Sequence, residues 1–250
     1  MLCLVLVFFY APIVVLVVNS FNASRFGGQW EGFSLLWYEK LWETDDIWEA
    51  LRTSLKIAVF ASLTSTVLGT LAAFALHRFR TRLQKLHLGM ISVPLMMPDI
   101  LMGISLLLLF VALGVETGFA TIWIAHVTFC LSYVAMVLLA RLQDFDFSLI
   151  EAARDLGANA RQAAWRVFAP LLAPGIIAGA LLAFTLSIDD YVITFFVQGA
   201  GTTTLPLRIY SMMKVSRNMP VINALSTLLL LVTFVTVTIS FCLTKRSTTK

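Results

Sequence analysis

Long apolar segments alternate with short polar segments along the whole chain. Each apolar segment is close to the roughly 20 residues that an α-helix needs to cross the hydrocarbon core of a bilayer. Gly69, in the second segment, predicts close packing against a neighbouring helix, because small residues let helix backbones approach in lipid. The pattern predicts an all-α membrane protein, with residues 1–250 forming one transmembrane domain. Its six membrane-spanning helices are predicted at approximately 2–18, 53–76, 89–112, 121–140, 174–196 and 221–243.

The composition supports lipid as the surrounding solvent. Of the 250 residues, 59% are hydrophobic and 13% are charged, and the mean hydropathy is +0.89. A soluble domain of this size cannot bury so large an apolar fraction. Cys3, Cys130 and Cys242 lie in apolar segments without the spacing of a redox or zinc motif, so we expect no disulfide and no metal site. The first apolar segment has neither a basic start nor a small-x-small cleavage site, so a retained span is expected rather than a signal peptide.

The basic residues are divided unevenly between the two sets of turns that connect the predicted helices. Because cytoplasmic loops carry an excess of Lys and Arg, the richer set is predicted to face the cytoplasm, together with both termini. The net charge of +4 gives no indication of a nucleic-acid partner. The richer set, 77–88, 141–173 and 244–250, holds 11 Lys and Arg residues, and the other, 19–52, 113–120 and 197–220, holds 6.

The polar segment between the fourth and fifth predicted spans has a pattern of its own. Ser148 followed three residues later by Glu151 predicts a capping box at the start of a helix. Gly157 fits the left-handed residue that ends such a helix. Asn159 can cap a second short helix, which Pro170 is expected to close. The segment therefore predicts a cytoplasmic helix, a glycine turn and a second helix.

Two prolines interrupt the third predicted span. Pro94 and Pro98 remove two backbone donors and are expected to kink or unwind the helix there. Asp99 follows directly, near the middle of the membrane. A carboxylate at that depth is expected to face the helix bundle or a water-filled path rather than lipid. The alternative is a structural carboxylate satisfied by the backbone amides freed near the prolines.

The fifth predicted span carries two adjacent carboxylates, Asp189 and Asp190. Successive helix positions are about 100° apart, so both can reach one point only if the helix unwinds. We expect one of them to line a path and the other to pair or cap. Tyr191 and Phe195 are one turn apart and could offer aromatic faces to a cation. His126, in the fourth span, is predicted to be packed and hydrogen-bonded rather than a proton relay.

Two external segments carry aromatic residues. Trp37, Leu41 and Trp48 are predicted to lie on one face of an interfacial helix, with acidic residues between them. The acidic face could also contact a soluble protein or attract a cationic solute. Residues 207–214 predict a short amphipathic helix that includes Tyr210.

The segment that begins at Glu151 resembles the EAA loop of ABC-importer permeases. That pattern is E-A-A, three residues, G, nine residues and I-x-L-P, with Val167 here at the isoleucine and Ala169 at the leucine. In that family the loop fits a groove on the ATPase subunit and transmits its motion. The coupling residues implied by the resemblance are Glu151, Ala152, Ala153, Asp155, Gly157, Val167 and Pro170.

Motifs along essentially the whole chain resemble the spermidine/putrescine importer permeases. They are Asn19-Ser20-Phe21-Asn22, Pro98-Asp99, the six residues from Ala125 to Cys130, the Glu151 loop, Ser187-Ile188-Asp189-Asp190 and the eight residues from Leu205 to Met212. The resemblance implies a type I ABC-importer permease in a bacterial inner membrane. Its implied partners are a second permease subunit, which completes a heterodimer, two copies of an ABC ATPase, and a soluble external polyamine-binding protein.

The resemblance also implies roles for individual residues. No phosphate-binding G-x-x-x-x-G-K-[ST] motif is present, so ATP and Mg are expected on the partner ATPase, with no cofactor or enzymatic activity on this chain. The expected substrate-path residues are Asp99, Asp189, Asp190 and Tyr191. The expected contacts with the binding protein are Trp37, Trp48 and Tyr210.

Three other functions are compatible with parts of this pattern. An ABC permease could carry another cationic or small solute. A stand-alone secondary transporter would work without an ATPase and would be expected to contain an internal inverted repeat, which the two halves of the chain do not show convincingly. A membrane scaffold would have no need for intramembrane carboxylates beside a proline break.

Overall fold

The computed structural model describes residues 1–25, 29–79, 82–215 and 219–247. For residues 2, 3, 215 and 236–247 the structure describes the backbone only. The predictions for Cys3, Cys242, the basic C-terminal tail and Arg80 in the turn 77–88 therefore concern side chains outside the described part of the chain.

The named elements of the described residues are all helices, which confirms the all-α prediction. One isolated bridge joins Asn22 and Phe33. The helices are α1 (Leu2–Ser20), α2 (Leu36–Glu43), α3 (Asp45–Arg78), α4 (Gln84–Met96), α5 (Asp99–Ala112), α6 (Phe119–Gln143), α7 (Ser148–Asp155), α8 (Ala160–Ala163), α9 (Ala169–Ile188), α10 (Val192–Val197), α11 (Leu205–Val215) and α12 (Met219–Ser247). A π-helical turn, Ala164–Phe168, connects α8 to α9.

Three of the described helices are long and apolar enough to cross a membrane. They are Asp45–Arg78, Phe119–Gln143 and the continuous helix Ala160–Ile188. A fourth candidate is the pair α4 and α5, which the structure bends by 111° between Met96 and Asp99. The predicted span 89–112 is thus two helices, in agreement with the expected break at the prolines. Leu4–Ser20 and Met219–Val235 are shorter apolar helices among the described residues.

The chain divides into two compact units. The first contains Met1–Glu49 and Arg208–Lys250, and the second contains Ala50–Leu207. In the first unit, α12 packs against α1 and α2, and Trp37 and Leu41 of α2 are almost fully buried. Its predicted short helix at 207–214 is confirmed as α11.

In the second unit, α6 packs against α4, α9 and α10. Helix α6 is apolar around its whole circumference, as expected for a helix that is buried or crosses a membrane. Its buried side chains include Ile122, Val134 and Leu138.

Two glycines allow close packing around Val134 of α6. A Cβ added at Gly69 of α3 would lie 2.8 Å from Val134 Cβ, and one added at Gly179 of α9 would lie 3.3 Å from Val134 Cγ1. Packing in lipid lacks the hydrophobic driving force of water and depends on such close approach. The predicted packing role of Gly69 is therefore confirmed.

Gly69→Ala is expected to lower the thermal stability of the purified protein in detergent. The added methyl group must displace α6, and overpacking of this kind costs about 1–3 kcal/mol. That cost outweighs the gain in helix propensity, which is about 1 kcal/mol. Gly89→Ala on α4 is the matched control, because a Cβ there meets nothing within 4 Å. Equal melting temperatures for the two variants would contradict the packing role.

Candidate functional site

The segment between α6 and α9 folds as the predicted helix, glycine turn and helix. Gly157 has a φ of +89°, a left-handed conformation that side chains other than glycine rarely adopt. The Asn159 side chain accepts a hydrogen bond from Gln162 N at 2.8 Å, and Gln162 Oε1 accepts one from Asn159 N at 2.9 Å. This reciprocal pair confirms Asn159 as the cap of α8. We call residues Ser148–Ala163 the coupling hairpin.

The predicted capping box at Ser148 is wrong. Ser148 is the first residue of α7, and its backbone N–H donates to Asp146 Oδ1 at 2.9 Å. An aspartate two residues upstream forms this turn readily and is a stronger acceptor than a hydroxyl. Hydrogen bonds from the side chain and backbone of Ser148 lower the pKa of Asp146.

The prediction that Pro170 closes the second helix is also wrong. The helix continues from Ala160 to Ile188, with the π-helical turn directly before the proline. Proline lacks an N–H, and its ring crowds the carbonyl four residues earlier, here that of Arg166. In the wider turn, Ala169 N–H donates instead to Ala164 O, five residues back. Pro170 is therefore accommodated near the start of α9.

The residues that resemble the EAA pattern lie on or beside the surface of the hairpin. Two apolar side chains that the sequence analysis did not single out are also exposed, Leu156 at 90% and Trp165 at 71%. Large apolar residues in a charged loop could have signalled a docking surface. Of the residues predicted to couple to an ATPase, Glu151, Ala152, Asp155, Gly157 and Pro170 are exposed, whereas Ala153 and Val167 are half-buried.

An aromatic cluster joins the residues that flank the hairpin to the end of α3. His77 stacks on Phe147 with ring centroids 5.0 Å apart. Phe168 contacts Phe145 at 5.2 Å and Phe74 at 5.6 Å. An open groove of about 860 Å³ is lined by this cluster and by α7 and α8. Sequence reasoning missed the cluster because its members are distant along the chain.

The first helix break places Asp99 at the start of α5. Its side chain is exposed and makes no hydrogen bond or ion pair with any described residue. The alternative in which freed backbone amides satisfy this carboxylate is therefore wrong. Negative charge is favourable at this position because the N-terminus of a helix carries partial positive charge.

The second helix break separates Asp189 and Asp190, and gives them different surroundings. Asp189 follows the last residue of α9 and is exposed. Asp190 accepts hydrogen bonds from Ile193 N at 3.3 Å, from Thr194 N at 2.8 Å and from the Thr194 hydroxyl at 2.7 Å. The expectation that one carboxylate caps is confirmed, and that carboxylate is Asp190.

His126 connects the two sides of this break. Its ring is 1% exposed, with Nδ1 2.7 Å from Ser187 Oγ and Nε2 2.9 Å from Thr194 Oγ1. Nε2 also lies 3.3 Å from Asp190 Oδ2. The prediction of a packed, hydrogen-bonded histidine is confirmed. Its partners could not be identified from sequence, because they lie 61 and 68 residues away.

The helices that follow the two breaks are in direct contact. A Cβ added at Gly103 of α5 would lie 2.6 Å from the ring of Phe196 on α10. Beside the second break, Tyr191 and Phe195 have ring centroids 5.9 Å apart. The second unit therefore combines two broken helices, two exposed carboxylates and an aromatic pair.

The aromatic residues predicted for the external face lie in the first unit. The prediction that Trp37, Leu41 and Trp48 share one face of a single helix is wrong. Helix α2 ends before Thr44, and Trp48 lies on the next helix, α3. Trp37 is 2% exposed, and its indole N–H donates to Asn22 O at 2.7 Å. Trp48 is half-buried, and Tyr210 has Lys214 Nζ 4.8 Å from its ring centroid. Contact of Trp37, Trp48 and Tyr210 with a binding protein stays a prediction.

The fold is that of a type I ABC-importer permease. The structure is similar to that of a bacterial ABC transporter involved in the import of the acidic polysaccharide alginate, with a TM-score of 0.75 and 19% sequence identity. The match covers 98% of this chain and 92% of that chain. At this identity the similarity concerns the fold alone.

The sequence comparisons define the family. The profile of the binding-protein-dependent transport system inner membrane component matches residues 65–247. The chain is 45% identical over 230 residues to the spermidine/putrescine transport system permease protein PotC of Escherichia coli (strain K12), covering 92% of this chain and 87% of that protein. It is 47% identical over 230 residues to the putrescine transport system permease protein PotI of the same organism, and the match covers 89% of this chain and 82% of that protein. The chain belongs to this family of inner-membrane transport components, and the resemblance found in its sequence is confirmed.

Asp146→Ala is expected to accelerate hydrogen exchange of the first amides of α7, because Ser148 N–H loses its acceptor. Asp146→Asn keeps a side-chain oxygen and should leave exchange unchanged at neutral pH. The lowered pKa of Asp146 means that its ionised carboxylate stabilises this turn at pH values above the ordinary pKa of an aspartate. In the parent protein this stabilisation is lost as the pH falls through the lowered pKa of Asp146. The Asn variant has no such pH dependence. Hydrogen–deuterium exchange over residues 146–152 measures both effects, and equal profiles for Ala and Asn would contradict the capping role.

Proposed function

We propose that this chain is the transmembrane permease subunit of an ATP-driven importer for polyamines, spermidine or putrescine. The observation that carries the proposal is 45% identity over 92% of the chain to a spermidine/putrescine permease. The exposed carboxylates at both helix breaks are consistent with a cationic cargo. The alternatives are another cationic or small solute carried by the same kind of importer, and a stand-alone secondary transporter.

The proposed assembly contains this chain and a second permease subunit as a heterodimer, each forming half of the translocation path. Two copies of an ABC ATPase supply the energy, with ATP and Mg bound there and no cofactor on this chain. A soluble external protein delivers the polyamine. The complex lies in the bacterial inner membrane, and the six apolar helical regions cross it with both termini in the cytoplasm, as the distribution of Lys and Arg favours.

The path is proposed to be lined by Asp99 and Asp189, with Tyr191 beside them. A polyamine is a flexible polycation, and carboxylates attract it strongly where the surroundings are poorly polarisable. A few dispersed carboxylates favour entry without preventing release. Asp190 contributes differently, since its oxygen atoms already accept hydrogen bonds from α10. The Tyr191 ring can add a cation–π contact.

The coupling hairpin is proposed to dock on the ATPase. Its exposed surface combines the acidic Glu151 and Asp155 with the apolar Leu156, and the exposed Trp165 lies two residues beyond its end. ATP binding would close the ATPase pair, move the hairpin and open the path outward, and hydrolysis would reset it. The aromatic cluster supports this role, because it joins Phe147 and Phe168, on either side of the hairpin in sequence, to α3.

Uptake of labelled spermidine and putrescine into proteoliposomes tests the function. The vesicles contain this chain co-expressed with its partner permease and ATPase, and loaded binding protein is added with or without internal ATP. Uptake should require ATP. Gly157→Val should abolish it, because a β-branched residue cannot adopt the observed positive φ without strain.

Gly157→Asn is the matched control, because asparagine tolerates the left-handed conformation. It should retain most of the uptake, and both variants should assemble. Uptake without ATP would favour the secondary transporter. ATPase activity stimulated by the binding protein without polyamine uptake would indicate another cargo.

Asp99→Asn and Asp189→Asn are each expected to reduce the polyamine transported per ATP hydrolysed by about tenfold, the effect of losing about 1.4 kcal/mol of favourable interaction. Binding-protein-stimulated ATPase activity should persist. Glu116→Gln removes an exposed carboxylate away from the two breaks and serves as the control. If both Asp variants transported like Glu116→Gln, the carboxylates would have no role in the path.

A further inference from the structure

The second helix break is held by a buried polar network of four residues, His126, Ser187, Asp190 and Thr194. Three of them, His126, Ser187 and Thr194, are at most 4% exposed, and the Asp190 side chain is 9% exposed. Buried polar groups in the interior of a membrane protein are expensive unless every one has a partner. The donor and acceptor roles of these side chains show whether each polar atom has a hydrogen-bond partner.

One arrangement of protons satisfies the whole network. Thr194 Oγ1 donates to Asp190 Oδ2, which is a carboxylate oxygen and can only accept. Thr194 Oγ1 therefore accepts from His126 Nε2–H, and the remaining ring nitrogen, Nδ1, accepts from the Ser187 hydroxyl. The partners of His126 thus place a proton on Nε2. No side-chain polar atom of the network is then left without a partner.

The network crosses the break. Ser187 lies in the last turn of α9, whereas Thr194 lies in the first turn of α10. A single rigid ring on α6 thus contacts both helix ends. At the break, the Asp190 carboxylate accepts from the freed N–H groups of Ile193 and Thr194, and the His126 ring joins side chains of the two helix ends.

A second contact fastens the other end of α10 to the same helix. The Thr121 hydroxyl donates to Val197 O at 2.7 Å. Thr121 and His126 are five residues apart on α6, about 7.5 Å along its axis. Since His126 contacts the start of α10 and Thr121 its end, α10 runs antiparallel to α6 and is fixed at both ends.

We infer that His126, Ser187 and Thr194 are positioning residues that hold Asp190 as the cap of α10 and thereby fix the break that presents Asp189 to the cargo. The Asp190 carboxylate is occupied by hydrogen bonds from α10, whereas the adjacent Asp189 is exposed. The inference rests on the proposed function, because it assigns the network to the path carboxylate Asp189. It also explains why two adjacent carboxylates occur where the path needs one.

Helix α10, which follows the second break, also packs against α5. Gly103 of α5 lies so close to α10 that an added Cβ would be 2.6 Å from Phe196. This contact further restricts the position of α10.

The test uses the reconstituted transporter with its partner permease and ATPase, and measures the polyamine transported per ATP hydrolysed. Thr194→Val removes the hydroxyl at nearly constant shape and should lower this ratio about two- to tenfold, the effect of one buried hydrogen bond. Thr194→Ser keeps the hydroxyl and should retain the transport ratio of the parent protein. Thr185→Val is the matched control, because the Thr185 hydroxyl bonds only within its own helix, to Leu181 O.

A double variant distinguishes positioning from a purely structural role. If the network acts through Asp189, adding Thr194→Val to Asp189→Asn should cause no further loss. If the loss in the double variant were instead the product of the losses in Thr194→Val and Asp189→Asn, the inference would be overturned. A normal ratio in Thr194→Val while Asp189→Asn is impaired would also overturn it, and that outcome would leave the proposed function intact.

A neutral Asp189→Asn would contradict the proposed path, and with it the inference. Ser187→Ala provides a second variant on the other side of the break, for which the same loss and the same non-additivity with Asp189→Asn are expected. If Ser187→Ala and Thr194→Val both failed to assemble while Thr194→Ser assembled, the network would serve folding alone and the inference would be overturned.

Discussion

Everything in the second unit depends on how the backbone groups freed at helix breaks are satisfied without water. A continuous helix bonds its own peptide groups, whereas a break leaves N–H and C=O groups for which lipid offers no partner. Before α10, a carboxylate accepts from two of these N–H groups. Before α5, two prolines remove N–H groups instead. Each solution leaves one carboxylate exposed at the break, Asp99 in one case and Asp189 in the other.

Helix α6 provides the rigid frame on which these breaks are held. It is covered by neighbouring helices, and at Val134 two of them approach as closely as their glycines permit. A functional constellation is most precise when it is built on regular elements locked by packing. His126 meets this condition, because a ring that cannot move can hold two helix ends in a fixed relation.

The sequence predicts what is decided locally. The helix break at the prolines, the left-handed Gly157 and the cap at Asn159 follow from the preferences of a few consecutive residues. It does not reveal which of the two adjacent carboxylates caps, because the deciding partner, His126, lies on another helix. Local rules also fail where a proline can either end a helix or be accommodated within it. At Pro170, a π-helical turn accommodates the missing N–H and the helix continues.

The continuation past Pro170 has a functional consequence. The helix from Ala160 to Ile188 has 29 residues and is roughly 43 Å long. One end belongs to the coupling hairpin, and the other ends directly before Asp189. Had the proline closed the helix, the hairpin and the break would be joined by a flexible connection. In the proposed mechanism, a displacement of the hairpin by an ATPase would reach the break through one helix, and the π-helical turn near the hairpin end is a place where that helix can bend.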